Sequence, residues 1–285
     1  WMTNERLMSE VTYTEGDIHI IVHECMEDYV DNVKFGEEFY KNKPQNLKKI
    51  ELDRVWRYTG TDHASGAIMV RYYCGVETSA NRCDFFIDMM QAKADLGKDP
   101  FRGVPRNVML DPGSANTSTA FKTLCKALGV HVQINKPGQP RAKGQVEKAN
   151  DMVETAFESS LRLVEVAGID ELNALAERWQ RYFNGTKTHS RHGLTRYQAW
   201  NKIKPEQLLL PPPAAYCREL AVSAPKEARV TPELEIKAIG QVYSVKSIAG
   251  VIVGQKLLVA RNPWDTQGAR VATWDSEGNE VWQPV

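Results

Sequence analysis

The sequence predicts a mixed α/β sheet flanked by helices and followed by a small all-β unit. Three observations predict it. Short runs of β-branched and aromatic residues follow one another early in the chain, separated by polar turns, the mark of antiparallel neighbours. From Asn107 onward a strand, a helix, a second strand and a second helix alternate, and that order implies parallel strands with helices packed on the sheet. Beyond about Ala224 short strands alternate with Gly and Asp/Asn turns.

Leu7 to Tyr13 and Ile18 to Val22 read as two strands around the turn Thr14-Glu15-Gly16-Asp17. An acidic stretch follows to about Lys34, and Asn46 to Leu52 reads as a helix. Val55 to Thr61 and Ala67 to Tyr73 are the next strands, split by Asp62-His63-Ala64-Ser65-Gly66. Ser79 to Ala92 has helical periodicity, with Phe85, Phe86, Met89 and Met90 on its apolar side. Asn107 to Leu110 is a short buried strand that Asp111-Pro112-Gly113 ends. Thr117 to Leu128 is a helix stopped by Gly129, and Val130 to Ile134 is a strand. The Gly- and Pro-rich basic loop Asn135 to Gly144 leads into a long helix that starts near Gln145. Glu171 to Phe183 and Thr195 to Asn201 are further helices, and Pro205 and Pro211-Pro212-Pro213 suggest a linker. Leu234 to Ile239, Gln241 to Val245, Lys256 to Ala260 and Arg270 to Trp274 are expected to close into a small barrel. The division expected is a core over 1–205, a linker over 206–223 and a β-barrel over 224–285.

Composition excludes several classes. The chain has 285 residues, 42% hydrophobic and 25% charged, which is ordinary globular usage and not that of a disordered tail, a collagen or a coiled-coil rod. No apolar run approaches the ~18 residues that cross a bilayer, so no membrane partner is expected. No basic stretch followed by an apolar core opens the chain, and its first residue is Trp1, which reads as a fragment of something longer. Lys plus Arg equal Asp plus Glu at 36 each, but unevenly: residues 1–34 hold eight acids and two bases, and 181–204 hold six bases and no acid. Such asymmetry fits either one surface meant for a polyanion or a solvated face balanced elsewhere. Five cysteines without a C-x-x-C pair fit reduced thiols in a cytoplasmic protein. His189 and His192 lack a nearby Cys, so zinc is not expected.

Two carboxylates carry the chemistry. Asp111 follows a buried strand, which holds it at the rim of the sheet. Glu147 lies in the first turn of a helix, with 35 residues between the two, and faces the same rim if that helix packs there. Two such groups side by side repel each other and attract a cation. Oxygen ligands favour Mg²⁺ or Mn²⁺, which suits phosphoryl transfer. The plain alternatives are an Asp-Pro-Gly turn and an acid favoured at a helix N-terminus.

YKNKPQN (Tyr40 to Asn46), TDHASG (Thr61 to Gly66), MLDPGSAN (Met109 to Asn116), KPGQPRAKGQVEKAND (Lys136 to Asp151) and FNGTKTHSRHGLTRYQAW (Phe183 to Trp200) occur in that order. Together they resemble the bacteriophage Mu-type DDE transposases of the retroviral integrase superfamily. The resemblance runs from about residue 36 to the end. It implies an RNase H-like core followed by a small β-barrel, with Asp111 and Glu147 as the second and third catalytic carboxylates. It places the first carboxylate at Asn4, in Trp1-Met2-Thr3-Asn4, where the family has Asp. Asp17, Glu24, Glu27 and Asp28 are the fallback positions, and Asp62 is read as structural.

The resemblance further implies a Mg²⁺- or Mn²⁺-dependent polynucleotidyl transferase, bacterial or phage-encoded. It would cut transposon DNA ends and join them to target DNA within a homo-oligomeric synaptic complex. Lys136, Arg141, Lys143 and Lys148 around Glu147, with Lys187, Arg191 and Arg196 farther out, would contact DNA phosphates. Two alternatives stay open: an assembly protein disabled at Asn4, and another RNase H-like nuclease. Trp264, Trp274 and Trp282 are read as barrel core or interface.

Overall fold

The computed structural model describes residues 55–75, 78–110, 119–134, 144–164, 166–265, 267–274, 277 and 280–285, together with the backbone of 19–25. The main sheet contains β1 (His19–Cys25), β2 (Val55–Asp62), β3 (Ile68–Cys74), β4 (Asn107–Leu110) and β5 (His131–Ile134). Their order is β3-β2-β1-β4-β5. β1, β2 and β3 are antiparallel, and β4 and β5 run parallel to β1. The mixed sheet read from the sequence is therefore present, with a central β1 that runs on to Cys25. In its register Ile21 sits between Thr61 of β2 and Met109 of β4. Leu7 to Tyr13 and Asn46 to Leu52 lie outside the described residues.

Helices cover both faces because β2 and β3 carry large apolar groups on alternating sides. Trp56, Tyr58 and Met69 face α1 (Ser79–Met90) and α2 (Thr119–Ala127), where Phe85, Phe86 and Phe121 complete the core. Each such fully buried side chain contributes about 1.5–3 kcal/mol. The Thr78 hydroxyl caps α1 by accepting from Asn81 N at 3.1 Å. α1 ends two residues earlier than the periodicity predicts, because Gln91 turns to an extended backbone. Gly60 lets α1 approach β2 closely: a Cβ there would lie 2.6 Å from Met89 Sδ.

On the other face Val55, Ile68, Val70 and Tyr72 pack against α3 (Gly144–Ala156), a 3₁₀ turn (Glu158–Leu163) and α4 (Ile169–Thr186). α4 also seals the outer edge of β3. Ile68 N, Val70 N and Tyr72 N donate to the side-chain oxygens of Asn184, Gln180 and Asn173 at 3.0, 2.9 and 2.8 Å.

α5 (Arg196–Trp200) and α6 (Ala214–Leu220) follow. α6 lies within the stretch 206–223 and buries Cys217, with Ala221 after it, in the core under α1 and α2. The tail holds β6 (Lys226–Arg229), β7 (Glu235–Ala238), β8 (Gln241–Ser244), β9 (Lys256–Ala260), β10 (Arg270–Trp274) and β11 (Glu280–Pro284). The expectation of a closed barrel needs correction. β11-β10-β9-β6 form one sheet and β7-β8 a separate hairpin, and among the described residues no ladder joins β11 to β8. The two sheets share one core through Val230, Ile236, Tyr243, Val259 and Val271, which buries their apolar faces without closure. Trp264 is at an interface, with its Nε1 donating to Asp84 on α1 at 2.7 Å, whereas Trp274 is 69% exposed.

Candidate functional site

Three of the sequence motifs converge at the far end of β2. The turn after β2 is built by Asp62, which is fully buried. Its Oδ2 accepts from Ser65 N at 2.7 Å and from Ser65 Oγ at 2.6 Å, and its main-chain oxygen accepts from Gly66 N at 2.9 Å. Asp62 therefore holds the turn together, as its reading as structural expects. Gly66 adopts φ +71°, and a Cβ there would lie 2.5 Å from His189 Cδ2, so the histidine ring closes over the glycine.

The segment 187–196 folds back onto this turn. His192 Nε2–H donates to Ser65 O at 3.1 Å, while His192 Nδ1 accepts from Leu194 N at 3.2 Å. Both ring nitrogens are engaged by backbone, which fixes the orientation of the ring. His189 Nδ1 accepts from Arg191 N at 3.1 Å, and its ring stacks on His192 with centroids 5.0 Å apart. Burial, then the charges of Arg191 and Arg196, lower the His189 pKa to about 4. His63 is also held below its usual pKa, by burial first and Arg191 second.

The first turn of α3 meets the same place. Val146, Ala149, Asn150 and Val153 form its buried stripe. Gln145 reaches Thr61, Asp62 and His63 with its side-chain amide. The Glu147 side chain is exposed and has no hydrogen-bond or ion-pair partner among the described residues, while neighbouring Lys148 pairs with Asp151. At the other end of α3, Arg57 crosses from β2. Its Nη1 lies 2.8 Å from both carboxylate oxygens of Glu158, its Nη2 donates to Glu154 Oε1 at 2.7 Å, and Tyr72 OH donates to Glu158 Oε1 at 2.7 Å. Burial opposes the Arg57 charge, but Glu158, Tyr72 and Glu154 together more than offset it and the Arg57 pKa is raised. α3 is thus pinned to β2 at both ends.

The sequence candidates divide as follows. Glu147 and Lys148 are exposed in the first turns of α3. Lys187 and Arg191 are exposed beside the 62–66 turn, where Arg191 Nη2 donates to the main-chain oxygens of His63 and Ala64. Arg196, expected to contact DNA, is 3% exposed: its Nε donates to Gly66 O at 2.9 Å, its Nη1 to Lys187 O at 3.1 Å, and it lies over the Phe183 ring. In this structure it joins 187–196 to the turn and offers little to a phosphate. Asn4, Asp17, Glu27, Asp28, Asp111, Lys136, Arg141 and Lys143 lie outside the described residues. β4 leads to Asp111 and ends at Leu110, and the backbone of Glu24 pairs with Tyr58.

Among the described residues no cluster of three metal-ligating side chains occurs. The unengaged carboxylate of Glu147 is the kind of oxygen donor that a hard divalent ion takes. Of the histidines nearby, His192 has both ring nitrogens engaged, and His189 and His63 each have Nδ1 engaged. Sequence reasoning missed Gln145 and the Arg57–Glu158 pair. A lone Arg within the apolar run of β2, and acids four residues apart at 154 and 158, were the available signals.

Residues 43–162 match the family model of the TnsB C-terminal domain. No curated protein matches the sequence. Among solved structures the chain is similar to the simian T-cell lymphotropic virus intasome in complex with PP2A regulatory subunit B56 gamma, at 14% identity and TM-score 0.45, over 93% of this chain and 75% of that one. It is similar to the HTLV-2 integrase catalytic core domain in complex with magnesium (trimeric form), at 17% identity and TM-score 0.40, over 63% and 94%. The BIV integrase catalytic core domain matches at 14% identity and TM-score 0.42, over 64% and 93%. The family match supports the integrase and transposase superfamily at large and does not single out the Mu type. No described helix is long and apolar enough to cross a membrane.

Proposed function

We propose that this chain is the catalytic portion of a DNA transposase or integrase, one that cuts DNA 3′ ends and joins them to target DNA by direct transesterification. One observation carries the reading: the family match spans 43–162, and so includes both the strand that leads to Asp111 and the helix that bears Glu147. The sheet order supports it, since β4 lies parallel and next to β1 while α3 packs across β2 and β1.

In this reading Asp111 and Glu147 hold Mg²⁺ or Mn²⁺, together with a ligand from the N-terminal segment. When bound, the ion supplies the positive charge that activates a water or a 3′ hydroxyl and stabilises the leaving oxygen. Glu147 contributes oxygens from a helix fixed at both ends, so little reorganisation is needed. Lys148, Lys187 and Arg191, with Lys136, Arg141 and Lys143, hold scissile and flanking phosphates, contacts that position rather than specify. The partners are transposon-end and target DNA and further copies of this chain, in the cytoplasm of a bacterium. The working division remains a core over 1–205, a linker over 206–223 and a β unit over 224–285.

The test is Mn²⁺-dependent resolution of a branched DNA that mimics a strand-transfer product. Asp111→Asn and Glu147→Gln should each abolish it while DNA binding persists; full activity in either variant sinks the assignment. A second reading is favoured by Asn4, where the resembling family has a carboxylate. In that reading the chain is a DNA-binding assembly protein. Activity that appears only in Asn4→Asp supports it, and activity in both forms moves the first ligand elsewhere.

A further inference from the structure

The first turn of a helix is its least self-sufficient part, because the leading backbone N–H groups have no partner within the helix. α3 begins at Gly144, and its second residue is held from outside. Gln145 Nε2 donates to Thr61 Oγ1 at 3.1 Å and to Asp62 O at 2.9 Å. Gln145 Oε1 accepts from His63 Nδ1–H at 3.1 Å. Both hydrogens and the oxygen of one amide are thus taken up by three consecutive residues at the end of β2. That end is firm, since the buried Asp62 carboxylate fixes the turn and 187–196 folds over it.

Gln145 and Glu147 lie about 200° apart around the helix axis, on opposite flanks of the stripe Val146, Ala149, Asn150 and Val153. A hold at Gln145 therefore sets the rotation of the first turn, and with it the direction in which Glu147 points. Arg57, bonded to Glu154, restrains the far end.

We propose that Gln145 is a positioning residue for Glu147: its amide locks the first turn of α3 to the end of β2, so that the Glu147 carboxylate meets a divalent ion in one orientation. The inference rests on the reading of Glu147 as an ion ligand given above.

The experiment uses the whole chain with Mn²⁺ alone. Mn²⁺ affinity is read by water-proton relaxation, amide exchange in α3 by mass spectrometry, and folding by thermal melting. Gln145→Ala removes the amide, and Gln145→Glu keeps its size but removes both donors. Both variants should weaken Mn²⁺ binding by about tenfold, the usual scale for a group that orients a ligand. Both should speed exchange in the first turn and lower the melting temperature by no more than about 4 °C. Unchanged Mn²⁺ affinity in both, alongside weaker binding in Glu147→Gln, overturns this inference and leaves the ligand assignment standing. Lost binding accompanied by global unfolding of Gln145→Glu assigns the amide to the fold at large, which also overturns it. Undiminished Mn²⁺ binding in Glu147→Gln removes the ligand assignment itself, and the positioning role with it.

Discussion

Asn184 grips Ile68 on both sides of its peptide: Ile68 N donates to Asn184 Oδ1 at 3.0 Å, and Asn184 Nδ2 donates to Ile68 O at 2.8 Å. With Gln180 and Asn173 it replaces a neighbouring strand along the edge of β3, and an unpaired edge is an aggregation liability. Asn184 is fully buried, so its loss leaves two main-chain groups without a partner. Asn184→Ala should destabilise the fold by about 2 kcal/mol, measured by denaturant unfolding. Faster amide exchange is expected at Ile68 and Val70 before global opening. Protection equal to that of the unaltered chain would show that water or another group seals the edge.

The Arg57–Glu158 pair makes a stronger demand, because both side chains are almost wholly buried. Removing one member leaves the other charge without compensation. Arg57→Ala should cost about 3–5 kcal/mol. Arg57→Met combined with Glu158→Leu should recover most of it, since an apolar pair of similar volume needs no desolvation. Chemical denaturation of the three proteins checks this. A double variant no more stable than Arg57→Ala would mean that Tyr72 and Glu154 depend on the pair for more than charge balance.

What the sequence showed of this molecule follows from how local each signal is. β2, β3, α1 and the parallel pair β4–β5 were legible because alternation and helical spacing are set by neighbours within a few residues. The TDHASG and THSRHG motifs were visible as strings, but their interlock was not. Arg191 meets Ala64 and Arg196 meets Gly66 from 127 and 130 positions away, and no periodicity encodes such contacts. The burial of Arg196 was hidden for the same reason: a base within a basic run reads as exposed until the carbonyls that bury it are known. Strands β7 to β10 were foreseeable and β6 and β11 were not, and closure depends on stagger between strands, which a one-dimensional pattern does not carry. Glu147 stood out in the sequence by its place in a helix's first turn, whereas Gln145 looked like any polar helix residue.

Acid should loosen this corner of the molecule. His189 is held neutral, with a folded pKa lowered to about 4 against an ordinary value of 6.5, and His63 is shifted the same way. Between those values the unfolded chain binds more protons than the folded one, so stability rises with pH there. These groups have no effect above about pH 7. They erode stability progressively as pH falls through 6.5 toward 4. Denaturation midpoints between pH 7.5 and 4.5 should therefore fall, and less steeply in His189→Asn. Parallel pH profiles for the two proteins would assign the acid sensitivity to other groups.

Arg191 and Arg196 stand five residues apart in the same basic run, and their placements predict opposite phenotypes. Arg191 is exposed, and its described side-chain bonds come from one terminal nitrogen, Nη2, on the oxygens of His63 and Ala64. If it also meets a DNA phosphate, Arg191→Ala should weaken binding at every sequence and reduce the slope of log affinity against log salt by about 1. Its melting temperature should barely move. Arg196 is buried against Gly66 O, Lys187 O and the Phe183 ring, and burial lowers its pKa to about 10. Arg196→Ala should lower stability by about 2–3 kcal/mol through two orphaned carbonyls and lost packing. Its salt slope should stay unchanged wherever the protein remains folded. Fluorescence anisotropy on duplex DNA from 50 to 300 mM salt (roughly the range over which phosphate contacts weaken), paired with thermal melts, separates the two. A reduced salt slope in a folded Arg196→Ala protein would mean that the guanidinium leaves its carbonyls when DNA binds.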